Sequence, residues 1–352
     1  MDLPALRMAR QSHSIHDVFA LVTEKAYGQH RSHFDALDQE GHGLKWLRLA
    51  DDGQLDAPPD AHPEVGWLSS DVFFGGLVDR FFEIAEQSPD FRWLQSAAAG
   101  VDLDGYQRLM DRGARICNAH LTAIPIAEYV LRAVLDVFQD AERWRAAQAD
   151  GRWKHHNFRE VWRSRWLIIG LGAIGAETAR RARAFEAHVT GVRRHPTGNE
   201  PVDAMIAPAD VPGALPAADV VVLAAPATPD TENLVDDAFL SAMKPGSVLV
   251  NIARGKLIDD EALLRALDGD RLAAAVLDVF NTEPLERDHP YWTHPKVVLT
   301  PHSSGGGIGR WERGAELFCD NLRRVLAGEP LVNEVTTMEL LTTDLPFALG
   351  QQ

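Results

Sequence analysis

A six-residue glycine turn, Gly170-Leu171-Gly172-Ala173-Ile174-Gly175, leaves this chain few architectures, because it lies between the apolar run Trp166–Ile169 and the alanine-rich segment Ala176–Phe185. With 27 glycines in 352 residues the spacing alone is a weak signal, so its setting decides. A buried run leading into the first glycine and a helix opening at the third make the strand–turn–helix of a dinucleotide-binding unit. Gly170 turns the chain, Gly172 lets a pyrophosphate approach the backbone, and Gly175 lets helix and strand pack closely. The helix start, with Ala173 and Ile174 on its first turn, offers free N–H groups and a positive partial charge to that anion. The competing reading is a structural turn in a sheet that binds no nucleotide.

From Trp166 onward the apolar pattern is regular. Strands are predicted at Trp166–Ile169, Val189–Val192, Asp219–Leu223, Val248–Ile252, Ala273–Val279 and Lys296–Leu299. Helices are predicted between them at Ala176–Phe185, Asp236–Met243 and Asp259–Leu267, with a last helix at about Arg310–Leu326 ended by Gly328 and Pro330. Upstream, apolar runs at Val18–Thr23, Leu44–Leu49, Asp71–Phe74 (closing in Gly75-Gly76) and Trp93–Gln95 alternate with helical stretches and read as a second parallel unit. Ile126–Ala147 is the longest helical pattern. Trp144, Trp153, Trp162 and Trp166 follow closely, and serve either core packing or a subunit interface rich in aromatic anchors. The expected fold is α/β with two domains, and residues 1–16 and 336–352 read as tails.

Thirty-five Lys and Arg against 51 Asp and Glu leave a net charge of −16, which argues against nucleic acid or an anionic membrane as the main partner. No run approaches the roughly 18 apolar residues of a membrane span, and the N-terminus carries no secretory pattern. Two cysteines, Cys117 and Cys319, fit a reducing cytoplasm. The 14 histidines form no HExxH or zinc-type cluster, so no metal is expected.

The second strand of the nucleotide unit runs into Arg193-Arg194-His195, where a carboxylate for a ribose 2′-hydroxyl is absent between Glu186 and Glu200. Two guanidinium groups pair a 2′-phosphate, so NADP(H) is the preferred cofactor and NAD(H) the second choice; solvated strand-end arginines are the plain alternative. Arg254, Glu283 and His302 each follow a predicted strand of the same unit, at its fourth, fifth and sixth, and in a parallel sheet those positions share the carboxyl edge where ligands bind.

These residues, in the company of Ala99-Gly100-Val101-Asp102, Ala225-Pro226-Ala227-Thr228-Pro229-Asp230-Thr231, Met243-Lys244-Pro245-Gly246, Asn251–Gly255, Leu277-Asp278-Val279 and Thr300-Pro301-His302, resemble the D-isomer-specific 2-hydroxyacid dehydrogenase family. The match runs from about Arg92 to His302; the first ninety residues follow it only in outline. The resemblance implies hydride transfer between a nicotinamide cofactor and a small 2-oxo or D-2-hydroxy acid, closest to the glyoxylate/hydroxypyruvate reductases. Arg254 would clamp the substrate carboxylate and polarise the 2-oxo group, His302 would be the proton donor, and Glu283 would orient its ring and favour the imidazolium. Cofactor contacts are implied at Ala225, Pro226, Ile252, Ala253 and Asp278, although Asp278 is equally a structural strand-end residue. Gly75 and Gly76 are candidates, by position, for backbone binding of the substrate carboxylate.

The implied architecture is a Rossmann-type nucleotide domain (residues 121–306) inserted in a flavodoxin-like substrate domain (17–120 with 307–335), with the site in the cleft between them. A homodimer in the cytoplasm is expected. The absence of a regulatory domain after the last helix argues against the longer phosphoglycerate dehydrogenases, and Glu283 against formate as substrate. Two other readings use the same nucleotide half: a nucleotide-sensing corepressor-like binding protein, and a dehydrogenase of different chemistry such as phosphite oxidation.

Overall fold

The computed structural model describes residues 17–100 and 103–335. The expected tails, and Val101 and Asp102 of the Ala99-Gly100-Val101-Asp102 motif, lie outside those residues. The chain divides into two compact units: Thr122–Ile308 forms one, and the residues up to Leu121 together with those from Gly309 form the other.

The discontinuous unit carries a six-stranded sheet of β1 (Val18–Thr23), β2 (Leu44–Leu49), β3 (Leu55–Asp56), β4 (Val65–Leu68), β5 (Trp93–Ser96) and β6 (Arg115–Cys117), in the order β3-β2-β1-β4-β5-β6. Only β3 is antiparallel, a two-residue addition at the edge next to β2. The strand expected at Asp71–Phe74 is instead the helix Ser70–Phe74, and the strand precedes it as β4. Two physical reasons account for the difference. Val65, Gly66, Trp67 and Leu68 are all buried, so no alternation marks them as a strand. The later run does not alternate either: Val72 faces the core while Phe74 is 64% exposed, as one helical turn allows.

Long-range packing closes this unit. Phe318, from the helix Arg310–Ala327, stacks between Trp67 and Trp93, with ring centroids 5.3 and 5.6 Å apart and planes within about 10°. Gly328 ends that helix in a left-handed conformation (φ 70°) that suits glycine.

The continuous unit carries seven parallel strands: β7 (Arg165–Ile169), β8 (His188–Val192), β9 (Ala204–Ile206), β10 (Val220–Leu223), β11 (Ser247–Asn251), β12 (Leu272–Leu277) and β13 (Val297–Leu299). Their order is β13-β12-β11-β10-β7-β8-β9, so the chain reverses direction across the sheet between β7 and β10. All six expected strands are present. The seventh, β9, is a three-residue edge strand too short to stand out in the sequence.

Because successive strand side chains point to opposite faces, these buried runs feed two cores. Ile168, Val222 and Val250 pack on one face against Val130, Val134 and Phe138 of the helix Ala123–Gln139. Leu167, Val221 and Leu249 pack on the other with Leu240 and Leu263. Each such side chain contributes about 1.5–3 kcal/mol on full burial, before chain entropy is set against it. The helix expected over Ile126–Ala147 is two, Ala123–Gln139 and Ala141–Ala149, broken at Asp140, whose φ is 51°. Of the four tryptophans nearby, Trp166 is core, whereas Trp144, Trp153 and Trp162 are exposed.

Candidate active site

In an open parallel sheet the crevice for a ligand opens beyond the carboxyl ends of the strands, where the strand order reverses. Here that point lies between β7 and β10, and the glycine turn occupies it. Gly170 has φ 101°, and a Cβ there would lie 2.5 Å from the Ala225 backbone nitrogen; a Cβ on Gly175 would lie 2.0 Å from the Gly170 carbonyl oxygen. Both positions therefore exclude a side chain. Gly172 differs: nothing lies within 4 Å of where its Cβ would be, so the backbone is open to an approaching group. It precedes the helix Ala173–Ala184, whose N-terminus has no side-chain cap. An open backbone, uncapped N–H groups and the positive end of a twelve-residue helix fit the pyrophosphate of a dinucleotide. Ala225 and Pro226 adjoin this turn: the Ala224 N–H donates to the Ile169 carbonyl at 2.8 Å, and Thr231 Oγ1 donates to the Pro226 carbonyl at 2.8 Å.

At the end of β11 the Asn251 side chain, fully buried, braces the next turn from both sides. Its Oδ1 accepts the Ala253 N–H at 3.0 Å and its Nδ2 donates to the Arg254 carbonyl at 2.9 Å. Ile252 and Ala253 are buried while Arg254 is exposed, its Nη1 donating to the Ala253 carbonyl at 2.7 Å. Gly255 lies against the Phe280 backbone so closely that a Cβ would fall 1.9 Å from the Phe280 carbonyl carbon, which fixes the Arg254 turn to the segment after β12.

That segment carries Glu283. Its Oε1 accepts the Phe280 N–H at 2.9 Å and its Oε2 accepts from His302 Nδ1 at 2.7 Å. Both side chains are a little over a third exposed. The ring nitrogen Nε2 is thus the one on the side of the imidazole away from the carboxylate. His302 adopts φ 47°, a left-handed backbone that costs a non-glycine residue about 1–2 kcal/mol. Its own N–H donates to the Asp278 carbonyl at 2.8 Å.

Asp278 holds the rest of that loop. The residue is 1% exposed, and Oδ1 accepts from Thr300 Oγ1 at 2.6 Å and the Ser303 N–H at 2.9 Å. Oδ2 accepts from the Ser304 N–H at 3.1 Å and from the Ser304 hydroxyl. Tyr129 extends the network, its hydroxyl 2.8 Å from Thr300 Oγ1. Both Asp278 oxygens are therefore engaged within the chain, by the residues that flank His302.

Arg193 follows β8 directly. Its Nη1 donates to the Leu171 carbonyl of the glycine turn at 3.3 Å and to Glu200 Oε1 at 3.4 Å. A loop of six residues brings Glu200 back to Arg193. Arg194 is exposed and lies 4.0 Å from the exposed Asp230.

In the other unit, Gly75 caps the helix Ser70–Phe74 and its N–H donates to the Asp71 carbonyl at 2.8 Å. That N–H is engaged within the helix. Gly76 has φ 69°, and nothing lies within 4 Å of where its Cβ would be. Tyr129, Glu200, Ser303 and Ser304 were not singled out from the sequence, and Thr300 entered only as part of the Thr300-Pro301-His302 motif. Only the hydroxyl-rich Thr300-Pro301-His302-Ser303-Ser304 run offered a signal. Among the described residues no group of three or more His, Cys, Asp or Glu could hold a metal ion, and no helix is long and apolar enough to cross a membrane.

The profile of the D-isomer specific 2-hydroxyacid dehydrogenase NAD-binding domain matches residues 131–304. The chain is 32% identical over 237 residues to glyoxylate/hydroxypyruvate reductase A of Serratia proteamaculans, covering 67% of this chain and 71% of that protein. It is 28% identical over 263 residues to D-3-phosphoglycerate dehydrogenase of Methanocaldococcus jannaschii, covering 72% of this chain but 49% of that one; the chain spans about half the length of the phosphoglycerate dehydrogenases it matches. Among solved structures, a D-isomer specific 2-hydroxyacid dehydrogenase of Xanthobacter autotrophicus in complex with NADPH and MES superimposes with a TM-score of 0.64 at 28% identity, covering 91% of this chain and 99% of that one. The chain belongs to the D-isomer specific 2-hydroxyacid dehydrogenase family.

Proposed function

We propose that this protein is an NAD(P)H-dependent reductase that interconverts a small 2-oxo acid and the D-2-hydroxy acid, with glyoxylate and hydroxypyruvate as the substrates to expect. The observation that carries the reading is the Glu283–His302 pair at 2.7 Å, on the same sheet edge as the glycine turn and the exposed Arg254. A bound reduced nicotinamide would supply the hydride. In this reading Arg254 binds the substrate carboxylate and polarises the 2-oxo group, a task suited to a planar, bidentate guanidinium. As negative charge develops on the substrate oxygen, His302 Nε2 delivers the proton, while Glu283 holds Nδ1, fixes the ring and stabilises its cation. Asp278 fits a positioning role, holding the loop on which His302 sits.

The two arginines after β8 support a preference for NADP(H), and a relative at 28% identity was crystallised with NADPH. The exposed Trp144, Trp153, Phe158 and Trp162 support a homodimer built on this aromatic surface. The free, buried Cys117 and Cys319 support a cytoplasmic setting. A second substrate, 3-phosphohydroxypyruvate, is favoured by the matches to phosphoglycerate dehydrogenases.

The test is a panel of 2-oxo acids, glyoxylate, hydroxypyruvate and 3-phosphohydroxypyruvate among them, assayed with NADPH and NADH by loss of reduced-nicotinamide absorbance. Turnover of a short 2-oxo acid is the expected result. Nucleotide binding without turnover of any acid would favour the nucleotide-sensing alternative.

A further inference from the structure

The loop after β8 contains a device that the two arginines alone do not reveal. Arg193 reaches back to the Leu171 carbonyl at 3.3 Å, and with the same Nη1 it approaches Glu200 Oε1 at 3.4 Å. Glu200 is no solvated loop carboxylate, since its side chain is 6% exposed. Oε1 accepts the Thr197 N–H at 2.6 Å and the Thr197 hydroxyl at 3.0 Å, and Oε2 accepts the Gly198 N–H at 2.9 Å. These bonds, the Thr197 backbone N–H foremost, hold its carboxyl down at about 2, so it is ionised at any working pH. Arg194 presents a different case. It and Asp230 are both exposed and 4.0 Å apart, a pair that solvent and salt screen.

The end of the second strand of a dinucleotide-binding unit lies beside the adenosine ribose, where a carboxylate favours the 2′-hydroxyl of NAD(H) and a guanidinium favours the 2′-phosphate of NADP(H). Here a fixed carboxylate and a guanidinium are held together in that position. We propose that Glu200 sets the nucleotide selectivity of this chain: it occupies one terminal nitrogen of Arg193 and places a permanent negative charge beside the 2′-phosphate position, so the preference for NADP(H) is narrower than two arginines alone would give. The backbone donors matter, because they keep Glu200 ionised and immobile whether or not Arg193 turns to the cofactor. The proposal rests on the nucleotide-binding reading above.

The test is calorimetric titration of the full chain with NADPH and with NADH, without any 2-oxo acid, reading the ratio of the two dissociation constants. Glu200→Gln keeps the shape and the Oε1 acceptor but removes the charge, and should shift the ratio about tenfold toward NADPH. Glu200→Asp keeps the charge and should stay close to the wild-type ratio. If the glutamine variant fails to fold, Glu200→Ser is a second neutral variant with the same expected direction. An unchanged ratio in the neutral variants, or a shift toward NADH, overturns the proposal. So does an aspartate variant that behaves like the glutamine one, since the effect would then lie in loop shape and not in charge. Wild-type protein that binds neither nucleotide overturns the nucleotide reading itself, and this proposal with it.

Discussion

At the carboxyl edge of the seven-stranded sheet, two turns are braced by residues close to them in the chain, while the His302 loop is held by Asp278 from 22 to 26 positions away. Asn251 holds Ala253 and Arg254, and Glu283 takes the Phe280 N–H three residues back. The six-stranded sheet is held by residues far apart. Thr23 donates to Asp71 at 2.6 Å across 48 positions, Asn321 donates to Gln95 at 2.8 Å across 226, and Phe318 fills the gap between Trp67 and Trp93. The contrast separates two jobs. Hydrogen bonds orient the polar side chains at the carboxyl edge of the seven-stranded sheet, while long-range packing supplies stability to the six-stranded one. Substitutions in the two regions should therefore fail differently.

The largest effect is expected in the second region. Phe318→Ala removes a fully buried ring from the aromatic stack and should cost about 3–5 kcal/mol, read as a lower urea midpoint. A loss below about 1 kcal/mol would mean that the stack is not what holds the unit together. In the first region Arg254→Ala should leave the urea midpoint nearly where it was, because the side chain is exposed, but lower kcat/KM by about 3–4 kcal/mol of transition-state stabilisation. Near-normal kcat/KM would put the carboxylate clamp elsewhere.

Asp278→Asn sharpens the comparison, since Asp278 is a buried residue with both kinds of duty. Replacing one acceptor oxygen by an amide sets it against the Ser304 or Ser303 donors and should cost about 1–3 kcal/mol. If Asp278 positions His302, kcat falls by one to two orders of magnitude, with less than a threefold change in NADPH affinity. A cofactor ligand would reverse that split.

The smallest effect concerns the thiols. Burial pushes Cys117 up to about 11 and Cys319 up to about 12. For an acid raised in the folded state, the stabilisation is complete below the ordinary thiol range and is lost as pH climbs from about 9 through the folded values. The folded protein should resist iodoacetamide at pH 8 and react fully in urea. Rapid alkylation of the folded chain would show these sites to be open.

The same contrast explains what the sequence disclosed. The glycine turn and the six strands expected around it were legible because each depends on neighbours within a few positions. Strand β4 was not, since Val65–Leu68 is buried on both faces and has no alternation to read. The contact of Glu200 with Arg193 was not legible because it needs a loop that folds back, and Asp278 stayed between a cofactor contact and a strand-end residue because its donors lie 22 to 26 positions away. Long-range partners leave no periodic trace.

In the proposed reaction His302, held by Glu283, protonates a 2-oxo acid as it is reduced. The direct measurement compares steady-state NADPH oxidation by wild type and His302→Gln with glyoxylate, alongside NADPH affinity by fluorescence. The account predicts turnover by the wild type and a loss of about a thousandfold or more in kcat for the variant, with NADPH still bound. A variant that keeps the wild-type kcat, or a wild type that binds NADPH but reduces no 2-oxo acid, would contradict it.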